Sequence, residues 1–225
     1  MQSEAPDNGI GRDFVRFAVE SGVLKFGEFK TKAGRLSPYF FNSGLFSDGA
    51  SLARLAEFYG RRLAASGLAF DMLFGPAYKG ITLAAALAIE LHRQGRKVAF
   101  AHDRKEAKDH GEGGLVVGAP LAGRVVVIDD VITDGASKNA AIDLIRSQGA
   151  TPVAVLIALD RMERVGADDN LSPCSAVVEF EAKTRIPVLP VATVTDLLAY
   201  LRSEADADLA EYAAPVARYR ERYGA

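Results

Sequence analysis

Short apolar runs alternate along this chain with longer stretches whose composition suits helices, and that spacing sets the expected architecture. Phe70-Asp71-Met72-Leu73-Phe74 reads as a strand closed by Gly75-Pro76. From Gly80 to Arg93 alanine and leucine dominate, which favours a helix by propensity. Val98-Ala99-Phe100-Ala101 reads as a short strand leading into a basic stretch. The strongest signal is Val125-Val126-Val127-Ile128, four consecutive β-branched residues of the kind that fill a strand buried on both faces. A helix from about Ser137 to Ser147, ended by Gly149, and an apolar run from Pro152 to Leu159 continue the alternation. Strand, helix, strand, helix at this spacing predicts an α/β fold, with a mainly parallel sheet flanked by helices.

Residues 11–66 break that rhythm. Helices are predicted over about 11–20 and 49–66, around a polar middle, KFGEFKTKAGRLSPYFFNSG, that forms either an antiparallel hairpin or a loop. Toward the C terminus, Ala192–Arg202 reads as a helix capped by Thr195, followed by an Ala/Glu/Tyr-rich helix from about Glu204. Residues 168–190 are expected to complete the sheet. With no repeat, linker or low-complexity tract in view, residues 1–225 are expected to form a single domain with an N-terminal elaboration at about 11–66.

Composition then narrows the function classes. A chain of 225 residues, 49% of them hydrophobic, can bury one good core, or one core with a small appendage. The 27 Lys and Arg against 29 Asp and Glu give a formal net charge of −2, so no global field draws the chain to nucleic acid or to an anionic membrane. Anion binding has to come from a local cluster. The lone Cys174 excludes an intrachain disulfide and a cysteine-based metal site. Together with the polar, signal-free start MQSEAPDNGI, it favours a reducing, cytoplasmic setting. No apolar stretch reaches the roughly 20 residues that span a bilayer. His92 and His102 lack the spacing to a third ligand that a metal site requires and read as structural or surface residues.

The densest chemistry lies in VVVIDDVITDGAS, residues 125–137. Asp129 and Asp130 follow a buried strand at once, and Thr133-Asp134-Gly135-Ala136-Ser137 leads into a helix. Ligands of open α/β sheets bind at the carboxyl ends of strands. A turn there supplies backbone N–H groups, the following helix presents its positive end, and the hydroxyls of Thr133 and Ser137 add donors, which makes a phosphate cradle. Carboxylates repel phosphate but accept bonds from sugar hydroxyls, or hold a Mg²⁺ that a sugar shares. A sugar phosphate suits both halves of the segment. An ordinary strand end with acidic caps is the simpler reading, but two carboxylates after a buried strand are costly unless a cation or hydroxyls use them. Neither the GxxxxGK[ST] phosphate loop nor the GxGxxG dinucleotide fingerprint is present, which argues against a nicotinamide cofactor.

A second cluster is DRKEAKDHGEGG, residues 103–114, with Arg104, Lys105, Lys108 and His110 ahead of Gly111, Gly113 and Gly114. By residue type alone it is either a solvated charged face or a site for a highly charged anion. A nucleic-acid surface would need basic residues spread along a face with aromatics to stack on, and here the patch is isolated. Tyr78-Lys79, after Gly75-Pro76, places a lysine at another strand end, where it reads either as a surface residue or as a point charge for phosphate.

Taken together these segments resemble a known family. IDDVITDG resembles the phosphoribosyl-pyrophosphate (PRPP) signature of the type I phosphoribosyltransferases. RKEAKDHGEGG, KFGEFKTKAGRLSPYFFNSGLF and GPAYKGI narrow the resemblance to the orotate branch of that family, over roughly residues 11–165. The resemblance implies the type I phosphoribosyltransferase fold, with residues of about 11–66 as a hood over the base site. It implies Mg²⁺-dependent transfer of phosphoribosyl from PRPP to orotate, giving orotidine 5′-monophosphate and pyrophosphate in de novo pyrimidine synthesis, with Mg²⁺ bound mainly through PRPP.

By that likeness Asp129 and Asp130 hold the ribose hydroxyls, and Thr133, Asp134, Gly135, Ala136 and Ser137 wrap the 5′-phosphate. Lys79 and Tyr78, beside a cis peptide, meet the pyrophosphate. Lys25, Phe40, Phe41 and Arg161 form the base site, with one of the two phenylalanines packing more than stacking. Arg104, Lys105, Lys108 and His110 lie on a flexible loop that closes over the other subunit's site, which implies a homodimer. Two positions depart from the Thr-Ala-Gly-Thr-Ala usual in the orotate enzymes. Asp134 adds a carboxylate near phosphate, and Ala136 removes a hydroxyl that Ser137 can replace. The competing readings are another nucleobase phosphoribosyltransferase and a PRPP-binding regulator of the same fold.

Overall fold

The computed structural model describes residues 9–31, 34–108, 114–133, 135–167, 170–203 and 207–225. In chain order these form α1 (Ile10–Glu20), β1 (Leu24–Lys30), β2 (Leu36–Phe41), a 3-10 turn (Ser43–Leu45), α2 (Gly49–Ser66), β3 (Met72–Gly75), α3 (Lys79–Arg93), β4 (Ala99–Lys108) and β5 (Gly114–Gly118). The chain continues through β6 (Arg124–Ile128), α4 (Ala136–Ser147), β7 (Thr151–Asp160), α5 (Ala176–Thr184), β8 (Val188–Thr193), α6 (Val194–Ser203), α7 (Ala207–Ala210) and α8 (Ala213–Tyr223). Six strands make one sheet in the order β5-β4-β3-β6-β7-β8, parallel throughout except for β5, which runs antiparallel to β4 at the edge.

The β-branched run behaves as its sequence requires. Val125, Val126, Val127 and Ile128 are all fully buried, because helices cover both faces of the sheet. The pleat sends Leu73, Val126, Ile128 and Leu156 to one face, against Phe14 of α1, Phe58 of α2, Leu87 of α3 and Leu197 of α6. Phe74, Val125, Val127 and Ile157 face the other way, onto Ile142 and Ile145 of α4 and Phe180 of α5. Segment 168–190 completes the sheet, as expected, by supplying α5 and the start of β8.

Two glycines explain the GPAYKGI spacing. A Cβ on Gly80 would sit 2.6 Å from the Ile128 carbonyl oxygen, and one on Gly75 would sit 2.1 Å from the Gly80 carbonyl oxygen. Only glycine lets the start of α3 lie this close to the ends of β3 and β6.

The polar N-terminal middle is a hairpin: β1 and β2 pair antiparallel, with Lys25 opposite Phe40 and Leu24 opposite Phe41. The C-terminal helix packs on it, with Tyr212 stacked on Phe26 and Tyr219 edge-on to Tyr39.

Three expectations are corrected. The strand begun at Val98 does not stop at Ala101: β4 continues through the basic stretch to Lys108, because Gly114–Gly118 pairs with it, across an irregularity between Asp103 and Lys108. The strand expected from Phe70 begins at Met72, since Asp71 is taken up by Arg124. The cap of α6 is Thr193 rather than Thr195. The Thr193 hydroxyl oxygen accepts from the Thr195 and Asp196 amides, and the Asp196 carboxylate accepts from the Thr193 amide and hydroxyl.

Candidate active site

Neighbouring strands β3 and β6 end side by side, and each feeds a helix, α3 after Tyr78 and α4 after Gly135, neither of which contributes a side-chain cap. α2 and α5 do carry side-chain caps, a capping box of Asp48 and Ser51 and the hydroxyl of Ser175. At the carboxyl edge the starts of α3 and α4 lie beside the two acids, through Lys79 on Asp130 and Lys138 on Asp129. Gly135 takes the left-handed conformation (φ 69°) that opens the turn into α4, with Thr133, Ala136 and Ser137 exposed around it.

Both acids are buried, and each has its own ammonium. Lys138 Nζ lies 2.5 Å from Asp129 Oδ2. Lys79 Nζ and the Ser43 hydroxyl each donate to Asp130 Oδ2 at 2.7 Å. The second oxygens accept backbone amides, Asp130 N to Asp129 Oδ1 and Val131 N to Asp130 Oδ1, both at 2.9 Å. The buried Tyr59 hydroxyl donates to the Asp129 carbonyl at 2.8 Å. These environments push the two acids apart. Burial raises Asp129 above the ordinary carboxylate range against the pull of Lys138. For Asp130 the burial penalty is outweighed by the Lys79 and Ser43 hydrogen bonds and by the lysine charges, and the net direction is downward.

The basic hairpin leans on the Tyr78 loop. Asp103 Oδ1 accepts from Ala77 N at 2.5 Å, and Lys105 Nζ sits 4.6 Å from the centre of the Tyr78 ring, within cation–π range. The Ala77–Tyr78 peptide is cis, as the resemblance implied. Arg104 Nη1 is buried with no hydrogen-bond partner among the described residues. Lys108 ends β4. His110 and Asp134 lie outside the described residues.

Arg161 follows β7 directly. Its Nη2 lies 2.6 Å from Glu163 Oε1 and donates to Ser37 Oγ at 3.2 Å, and its guanidinium sits 5.0 Å from the centre of the Tyr39 ring. Ser37, Tyr39 and Phe41 share the inward face of β2, and Phe41 packs beside Phe14 at 6.3 Å between ring centres. Phe40 and its cross-strand partner Lys25 are on the opposite, exposed face, with Phe40 stacked on Phe29 at 5.5 Å. The four expected base-site residues thus divide between two faces of the hairpin, and Arg161 is on the side of Ser37 and Tyr39.

Sequence reasoning missed Ser43, Tyr59, Lys138 and Glu163. Only Lys138 left a local sign: a lysine in the first turn of a helix stands at the unfavourable end of the dipole. Ser43 and Tyr59 reach the acids across 87 and 70 residues, which no local pattern carries, while Glu163 lies two residues past Arg161 and carried no motif of its own.

Residues 46–184 match the model of the phosphoribosyl transferase domain family. The chain is 59% identical to an orotate phosphoribosyltransferase of Herminiimonas arsenicoxydans over 218 residues, 96% of this chain and 99% of the relative. It is 56% identical to an orotate phosphoribosyltransferase of Cupriavidus metallidurans over 223 residues, 99% of each. The crystal structure of orotate phosphoribosyltransferase from Francisella tularensis superposes with a TM-score of 0.82 at 38% identity, covering 95% of this chain and all of that one. An acid pair set between two helix starts, on a sheet shared with these relatives, fits the phosphoribosyltransferase family to which the matches assign the chain, and within it the chain belongs to the orotate phosphoribosyltransferases.

Proposed function

We propose that this protein transfers the 5-phosphoribosyl group of PRPP to orotate, giving orotidine 5′-monophosphate and pyrophosphate, as a step of pyrimidine biosynthesis. The observation that carries the reading is the acid pair between the two helix ends, each acid matched to a lysine. Asp129 and Asp130 receive the ribose hydroxyls. The 5′-phosphate sits at the start of α4, among Thr133, Asp134, Gly135, Ala136 and Ser137. Tyr78 and Lys79 meet the pyrophosphate from the start of α3, with Lys79 leaving Asp130 as that more highly charged ligand arrives. Arg161 and Phe41, on the inward side of the hairpin, meet the base, with the Arg161 fork on the orotate carboxylate, and Lys25 and Phe40 border the base site from the outer face of the hairpin.

The bond from ribose C1 to the pyrophosphate oxygen breaks as an orotate ring nitrogen bonds to C1, the electron pair leaves with pyrophosphate, and the proton given up by that nitrogen passes to pyrophosphate or water. Positive charge develops on the ribose, where fixed carboxylates stabilise it, while Arg104, Lys105, Lys108 and His110 neutralise the leaving group. The donor set fits a Mg²⁺ that arrives on PRPP: both carboxylates already have ammonium partners, and Mg²⁺ in such sites is held largely by substrate phosphates and water. When bound, that ion offsets charge on the pyrophosphate. The hairpin carrying the basic residues serves the neighbouring subunit of a homodimer, and its closure excludes water from the ribosyl centre. Residues 1–225 act as one domain with about 11–66 as the hood. Among the described residues no helix is long and apolar enough to cross a membrane, which supports a cytoplasmic enzyme.

The test is loss of orotate absorbance in the near ultraviolet on mixing protein, orotate, PRPP and Mg²⁺, with uracil, hypoxanthine and adenine run in parallel. Metal-dependent consumption of orotate with release of pyrophosphate is expected. Turnover of a rival base points to another phosphoribosyltransferase, and PRPP binding without turnover points to a regulator. Mixing Lys108→Ala with Asp130→Ala subunits is expected to restore activity, because one of the two shared sites is then intact. No recovery after confirmed subunit exchange would sink the shared-site arrangement.

A further inference from the structure

Lys138 has no role in the reaction as described, yet it is one of the most enclosed charges in the site. It is 7% exposed and sits in the first turn of α4, where the helix dipole disfavours a cation. The carboxylate, not the helix, holds it there. Its partner Asp129 is fixed on every side: Oδ2 by Lys138, Oδ1 by the Asp130 amide, and its carbonyl by the Tyr59 hydroxyl. Asp130 is held differently. Its ammonium partner Lys79 has a side chain 50% exposed, against 9% for Lys138. One lysine has room to turn toward a ligand, and the other does not.

Two neighbouring carboxylates in a poorly solvated pocket repel each other, and one of them resists ionisation unless both are neutralised. An immovable ammonium on one and a movable ammonium on the other removes that conflict and makes the two acids unequal. We propose that Lys138 is a positioning residue, a resident counter-ion that locks the Asp129 carboxylate beneath the ribose site and leaves Asp130 as the acid whose charge is uncovered when Lys79 turns to the ligand. This rests on the reading that the acid pair receives the ribose of PRPP. Lys138 touches neither substrate and acts through Asp129.

The experiment compares wild type with Lys138→Met, Lys138→Arg and the double variant Asp129→Asn/Lys138→Met. It measures kcat, KM for orotate, the calorimetric Kd for PRPP, and the melting temperature. Lys138→Met is expected to fold, to lose about 10–100-fold in kcat and in PRPP affinity, as removal of a group that orients a ligand-binding side chain does, and to keep the wild-type KM for orotate. Lys138→Arg is expected to regain most of both losses by restoring the charge. The double variant is expected to recover the melting temperature, since it leaves no unpaired buried charge, but not the kcat. Wild-type kcat and PRPP affinity in folded Lys138→Met overturn the proposal. Equal losses in the Met and Arg variants that follow the melting temperature also overturn it, by making the lysine a packing element. If wild type binds PRPP without consuming orotate, the assignment of the base fails, and the PRPP affinities of the variants still decide the role of Lys138.

Discussion

Phe40 and Phe41 are adjacent in sequence, and the pleat of β2 sends them to opposite faces. Phe41 pairs with Leu24 and packs beside Phe14, while Phe40 is 43% exposed and stacks on Phe29. Burial and ligand contact are therefore separable in this pair. Phe41→Ala is expected to cost about 3 kcal/mol of stability, the low end for truncating a phenylalanine because the ring is only partly buried against the core, read as a shift in denaturation midpoint. Phe40→Ala is expected to leave that midpoint almost unmoved and to raise KM for orotate. An unchanged orotate KM in Phe40→Ala removes that ring from the base site. Arg161 belongs to the same scale. Its guanidinium has set partners in Glu163, Ser37 and Tyr39, so a base carboxylate meets a fork whose orientation is already fixed.

At the scale of elements, the sheet is fastened at its amino edge by Asp71 and Arg124, at the starts of β3 and β6. Asp71 accepts from the Arg124 amide and from both sides of its guanidinium fork at 2.8–2.9 Å. The Arg124 side-chain hydrogen bonds, followed by its amide, hold the Asp71 carboxyl well below the ordinary carboxylate range. A folded-state value below the unfolded one adds stability that is fully present above the unfolded value of about 3.9 and disappears as pH falls through the depressed folded value. Asp71→Asn is accordingly expected to melt below wild type at pH 7, and the gap is expected to close as both are acidified. A gap that stays constant down to the acid limit would show that packing, not the ion pair, sets the difference.

Considered as a whole molecule, residues 223–225 are built into the segment that follows Arg161. Glu163 bridges to Gly224 in antiparallel fashion, the Arg164 amide donates to the Tyr223 carbonyl at 2.8 Å, and the Ala225 amide donates to the Met162 carbonyl at 3.1 Å. Tyr223 also lies under the Arg35 guanidinium, and Arg35 shares the Glu163 carboxylate with Arg161. The last residues thereby set where Arg161 stands. Removal of residues 223–225 is expected to raise KM for orotate about 10-fold, by displacing a positioned binding group, and to leave the PRPP affinity near wild type. Steady-state kinetics and PRPP calorimetry on the truncated chain check both numbers, and a parallel loss of PRPP affinity would mean that the truncation disturbs the whole sheet.

Much of this was legible in the residues. The run 125–128 declared a strand buried on both faces, because four β-branched side chains in succession have no polar face to offer water. Gly75-Pro76 marked the end of a strand, and IDDVITDG placed two acids where a parallel strand must end. Alternation, propensity and turn chemistry are local properties, and a sequence states them directly. The cap of α6 was local but misassigned, since Thr193 and Asp196 form the reciprocal cap two residues before the expected Thr195, whereas the reach of β4 was not local, since a second strand lengthens the first.

By itself, then, the sequence determined the α/β alternation, the acid pair at a strand end and the resemblance that names its ligands. Tertiary structure alone decided which charges meet. Lys79 and Ser43 close on Asp130 across 51 and 87 residues, Tyr59 reaches the Asp129 carbonyl across 70, and the C-terminal residues are brought beside the segment that follows Arg161. Pairing of charges in a buried pocket depends on distance and desolvation, and both are fixed only once the sheet and its covering helices have packed.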